Sequence, residues 1–111
     1  LDRGAIRPEG GVISLRKYEV MMILSADLEK EGQEEFIKEF SSVVKKVEGR
    51  VEKVNHWGVK SFAYPIENET KGYYLVVELA GSSKIAQMVN RWLKLSEKVI
   101  RHLLVRLDGE G

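Results

Sequence analysis

The sequence predicts an α+β fold of the ferredoxin-like type: a split βαβ sandwich of order βαββαβ, with a four-stranded antiparallel sheet and two helices on one face. Three observations predict it. The segments run strand, helix, strand, strand, helix, strand. Each helical segment carries one apolar stripe, so each needs a sheet to cover it. The two middle strands are joined by a polar turn too short for a crossover, so they form an antiparallel hairpin.

The first strand is Lys17 to Leu24, where Val20, Met22 and Leu24 alternate with Glu19, Met21 and Ile23. A helix follows from about Lys30 to Glu48. Phe36, Phe40, Val43, Val44 and Val47 recur at helical spacing between glutamates and lysines. Asp27 precedes it and acids crowd its first turns, where the helix dipole favours negative charge. Gly49 stands where a glycine C-cap belongs. Arg50 to Pro65 is a long extended segment whose phase shifts between Val54 and Val59, which makes Gly58 the expected bulge. Pro65 cannot donate to a ladder, so this strand is expected at an edge of the sheet.

Glu67 to Gly72 reads as the turn, and Tyr73 to Leu79 as the returning strand. The second helix spans about Ser83 to Leu95, capped by Ser82 or Ser83, with Ile85, Met88, Val89, Trp92 and Leu93 as its buried stripe. The last strand is about Val99 to Leu107. Residues 1–15 carry Pro8, Gly4, Gly10 and Gly11 without periodicity and are expected to be a flexible lead. Residues 16–107 form the one domain, and 108–111 a short tail.

Composition narrows the function classes. Hydrophobic residues make up 43% and charged residues 32%, which fits a packed globular chain and not a disordered one. There is no cysteine, which excludes a disulfide framework and thiolate metal sites and fits a reducing compartment. No apolar run is long enough to span a membrane as a helix, so the cytoplasm is the expected location. Net charge is only +1, but it is unevenly spread. Asp27 to Glu48 holds seven acids and four bases, whereas Lys84 to Arg106 holds six bases and one acid. Such asymmetry makes one part of a neutral protein basic.

The strands carry more apolar residues than one buried face requires. In the first, Met21 and Ile23 oppose Val20, Met22 and Leu24; in the third, Tyr74 and Val76 oppose Tyr73, Leu75, Val77 and Leu79. In the last, Ile100 and Leu104 are expected opposite Val99, Leu103, Val105 and Leu107. Either another chain covers the second face, or bulges and twist tuck some of these residues away.

Catalytic chemistry finds no support. His56 and His102 are isolated, the serines lie in no nucleophile motif, and Glu34/Glu35 and Glu67/Glu69 read as a solvated helix face and a turn. No cofactor or metal is expected. Lys71-Gly72-Tyr73-Tyr74-Leu75-Val76-Val77-Glu78 overlaps the aromatic signature of RNA-recognition motifs, but Tyr74, Leu75 and Glu78 depart from it. Base stacking by that mechanism is therefore not expected.

Several segments together resemble one family. Arg16-Lys17-Tyr18-Glu19, Arg50-Val51-Glu52-Lys53-Val54, Trp57-Gly58, Phe62-Ala63-Tyr64-Pro65-Ile66, Gly72-Tyr73-Tyr74 and Lys98 to Arg106 are similar to bacterial small-subunit ribosomal protein S six. The resemblance covers about Arg16 to Leu107. It implies a structural constituent of the small ribosomal subunit, without enzymatic activity. It also implies binding to the central domain of small-subunit ribosomal RNA as a heterodimer with ribosomal protein S eighteen. On that basis Arg16, Lys17, Lys94, Lys98 and Arg101 are expected to contact phosphates, in two patches, because the first and last strands start at opposite ends. Tyr18 either stacks on RNA or packs under the sheet. Trp57, Phe62 and Tyr64 on the edge strand are the expected partner surface, with core packing as the alternative for Phe62 and Tyr64. The competing function is a homodimerising or small-ligand-binding regulatory module of the same fold.

Overall fold

The computed structural model describes residues 16–107; the expected lead and tail lie outside the described residues. Strand β1 (Arg16–Ser25) leads to helix α1 (Lys30–Lys46). Strands β2 (Arg50–Ile66) and β3 (Glu69–Gly81) form the hairpin, and helix α2 (Ser83–Leu95) leads to strand β4 (Val99–Arg106). The sheet order is β2-β3-β1-β4 and every pairing is antiparallel, so β2 is an edge strand as expected. The architecture is the ferredoxin-like sandwich.

One core forms between the helices and one sheet face. Val20, Met22 and Leu24 of β1 meet Leu75, Val77 and Leu79 of β3 beneath Phe36, Phe40 and Val44 of α1 and Ile85, Val89 and Leu93 of α2. Burying an aliphatic or aromatic side chain of this size contributes roughly 1.5–3 kcal/mol. Trp92 locks the helices together, with its ring centroid 5.4 Å from Phe36 and 5.9 Å from Phe40. Ser82 caps α2: the Lys84 backbone N–H donates to its hydroxyl at 3.3 Å.

Several local expectations change. Helix α1 is capped by Glu29, which makes no side-chain capping bond, while Asp27 lies in the preceding turn, its N–H donating to Ser25 Oγ. The C-terminal left-handed residue is Glu48 (φ 61°), not Gly49. The N–H groups of Glu48 and Gly49 donate to the Lys45 and Val44 carbonyls at 3.0 and 2.9 Å, a Schellman closure. Gly49 serves close packing instead, since a Cβ there would stand 2.9 Å from the Ala80 carbonyl oxygen.

The hairpin is tighter than the six-residue turn expected. Glu67 and Asn68 alone make it, at φ 53° and 66°, and pairing resumes at once with Ile66 opposite Glu69. Gly58 is the bulge, at φ 90°, with the register shifting between His56 and Gly58. A further shift lies between Ser61 and Ile66, so Pro65 sits where the ladder is interrupted and needs no N–H. On β4, the shift opposite Ile23/Leu24 turns Val99 onto the core side, where Leu104 also packs. Val99 was expected on the face of Leu103 and Val105; the bulge at Ile100 reverses its phase.

Candidate nucleic-acid and protein interface

Strand alternation sends a second set of side chains to the face without helices. Glu19, Met21 and Ile23 project there from β1, and Tyr74, Val76 and Glu78 from β3. Arg101, Leu103 and Val105 project there from β4. Leu103 is 58% exposed and Val105 43%. Met21, Ile23, Arg101, His102 and Leu103 line a shallow groove of about 290 Å³.

Gly58 explains how β2 joins this face. Before the bulge, Val54 packs on the core and Trp57 does not; after it, the even-numbered Lys60 and Phe62 share the face of Tyr74. Lys60 Nζ lies 5.0 Å from the Trp57 ring and 5.7 Å from that of Tyr74. Phe62 meets Tyr74 edge-on at 6.3 Å. Gly72 makes room, because a Cβ there would stand 2.8 Å from Phe62 Cζ. The structure thus brings Trp57 and Phe62 together on an aromatic ledge beside Ile23. Trp57 is 51% exposed, and Tyr64, apart from the ledge on the hairpin, is 80% exposed. Core packing is thereby removed as the alternative for both Phe62 and Tyr64.

The basic residues fall at two ends. Arg16 and Lys17 open β1 opposite Gly81 and Ala80, and the Leu107 N–H donates to the Lys17 carbonyl at 2.8 Å. Lys17 Nζ lies 4.0 Å from Glu52, which also holds Arg50 at 3.0 Å, so part of this charge is balanced. At the far end, Arg101 pairs opposite Ile23, and the Lys98 carbonyl accepts from the Ser25 N–H at 3.0 Å. Lys94 lies in the last turn of α2 at the same end. Lys94, Lys98 and Arg101 form no ion pair among the described residues. Tyr18 is 5% exposed and belongs to the core, so its ring is not available to stack on a base.

The two histidines have structural partners. His56 Nδ1 and the Tyr73 hydroxyl are 2.5 Å apart, and His102 Nε2 lies 3.1 Å from Asn90 Oδ1. Burial, then the Lys94 charge, lowers the pKa of His102. Among the described residues, no group of three His, Asp or Glu side chains could hold a metal ion.

Sequence reading missed Lys60 and Tyr74 as parts of the ledge. The signal was available: a one-residue bulge at Gly58 switches the parity of β2, which places positions 60 and 62 with 74.

Comparison with known proteins identifies the family. The family described as Ribosomal protein S6 matches residues 17–106. Small ribosomal subunit protein bS6 of Carboxydothermus hydrogenoformans is 38% identical over 94 residues, covering 85% of this chain and 98% of the relative. The bS6 protein of Moorella thermoacetica is 38% identical over 97 residues, covering 87% and 99%. The crystal structure of 30S ribosomal protein S6 from Thermotoga maritima shares the fold with a TM-score of 0.78 at 23% identity, covering 85% of this chain and 89% of that one. The chain therefore belongs to the ribosomal protein S6 family, non-enzymatic proteins of the bacterial small ribosomal subunit in the cytoplasm.

Proposed function

We propose that this chain binds the central domain of small-subunit ribosomal RNA together with ribosomal protein S eighteen, with which it pairs as a heterodimer. The observation that carries this reading is the open sheet face. It stays apolar through Leu103 and Val105, continues into the Trp57–Phe62 ledge, and is flanked at its two ends by cations. An apolar face of this kind is characteristic of a surface that another protein covers. The aromatic ledge supplies anchors of the type that dominate interface energies. The cations at the ends supply phosphate contacts, which position a protein on RNA while junction shape carries recognition. Lys94, Lys98 and Arg101 are the stronger phosphate candidates, because Lys17 is shared with Glu52.

Size exclusion with and without the partner, followed by RNA binding across a salt series, tests the reading. Co-elution at micromolar concentration and tighter RNA binding by the pair are expected. No co-elution, or a stable homodimer with no RNA affinity, would overturn it and favour a regulatory module.

A further inference from the structure

We infer that the open sheet face docks a basic protein that seats one arginine side chain between Glu19 and Glu78. The inference rests on the heterodimer reading and says what chemistry the partner brings to that face.

The β1–β3 register places Glu19 directly opposite Glu78, on the two central strands. Alternation puts both side chains on the open face, because Tyr18 and Val20, and Val77 and Leu79, lie in the core. Both glutamates are half-buried. Like charges directly opposite each other destabilise a sheet. Among the described residues neither carboxylate has a hydrogen bond or an ion pair, and Lys53, the β2 neighbour of Glu78, is not within ion-pair distance. Apart from Lys53, their neighbours are apolar: Met21 and Val76 form the next cross-strand pair, and Val105 lies opposite Glu19 on β4. Two carboxylates with no ion-pair partner among the described residues thus stand in the middle of a face that carries Met21, Ile23, Val76 and Val105, while Lys60 and Arg101 sit farther along its strands.

Charge decides the occupant. RNA phosphate is repelled by the pair. A second copy docked about a two-fold axis through this spot would bring four carboxylates together. A guanidinium fits, because its planar fork can donate to both carboxylates at once, which a compact ammonium does less well. Cross-strand Cβ atoms lie about 4.5–5.5 Å apart, a separation that one guanidinium can bridge.

The test uses the full chain and purified ribosomal protein S eighteen. Glu19→Gln and Glu78→Gln are each measured for partner affinity, dissociation rate and the urea midpoint of the free chain, with Glu39→Gln on α1 as control. Each site variant is expected to weaken partner binding by about 30-fold, chiefly through faster dissociation, because the partner's cation loses its counter-charge in a desolvated interface. The same variants should raise the urea midpoint of the free chain, since one of two repelling charges is gone. A merely structural role would move stability and affinity in the same direction. If wild type binds the partner and both variants bind equally well, the arginine seat is wrong while the heterodimer stands. If wild type does not bind the partner, both readings fall. If the variants dimerise more tightly than wild type and the partner does not compete, a second copy is the occupant and the proposal is overturned.

Discussion

Glu48 has a backbone conformation that suits a different residue. Its φ of 61° closes α1 in the left-handed region, where a Cβ costs roughly 1 kcal/mol and glycine costs none. Glu48→Gly should therefore stabilise the chain by about 1 kcal/mol, read as a higher urea midpoint at unchanged slope. Gly49→Ala should do the opposite, because its Cβ would press on the Ala80 carbonyl. His102 gives the residue scale a pH dependence. Burial and Lys94 disfavour its charged form, so its folded pKa lies below the ordinary 6.5. The unfolded chain then binds the proton more readily than the folded one. This contribution to stability is complete above pH 6.5 and is lost as pH falls through 6.5 toward the lowered folded value. His102→Gln keeps an amide N–H that can donate to Asn90 Oδ1 and removes the titration. Comparing urea midpoints at pH 7.5 and 5, wild type should fall further than the variant; equal falls would show that His102 does not report its burial.

The β2–β3 hairpin is the element least supported by its neighbours. The β1–β3 pairing ends at Ser25 opposite Gly72, yet the hairpin continues through Ile66 and Glu69. Its tip therefore opens without unfolding the core. Both turn residues have positive φ, and Glu67-Asn68 is a poor choice beside Asn-Gly, which such two-residue turns favour. Replacing Glu67→Asn and Asn68→Gly together should slow amide exchange at the tip by about fivefold, equivalent to roughly 1 kcal/mol, while the global urea midpoint barely moves. A large global shift would mean that the hairpin unfolds with the core. At this scale the sequence was legible where periodicity is strong. The split order of the elements, the bulge at Gly58 and the stripe of α2 follow from residue spacing, except that Met88, expected in the stripe, lies at its edge and is 39% exposed. What it hid were phase changes that depend on a neighbour. Val99 turns inward only because β4 slips against β1, and Phe62 reaches Tyr74 only because β2 changes parity and Gly72 leaves space.

On the scale of the whole molecule, the sheet holds two basic ends apart, as the antiparallel strand order leads one to expect. Lys94, Lys98 and Arg101 stand with the end of β1, whereas Arg16 and Lys17 stand at its start. Seven residue steps of extended strand separate Arg16 from Ile23, the partner of Arg101, so the two basic ends lie about 23 Å apart. That exceeds the screening length of physiological salt, and sites so far apart contribute independently. Between them lies the largely apolar open face with Glu19 and Glu78 at its centre, so under the proposed function the protein partner takes the middle and RNA the ends. Arg101→Ala should reduce the salt slope of RNA binding by the chain–partner pair by about 0.7 to 0.9, and Arg16→Ala by a similar amount. The double variant should lose the sum of the two, with a coupling energy below about 0.5 kcal/mol. Filter binding from low to moderate salt measures all three. An unchanged slope for Arg101→Ala removes that residue from the footprint. A double variant no worse than either single one would show that the two arginines do not contribute independently.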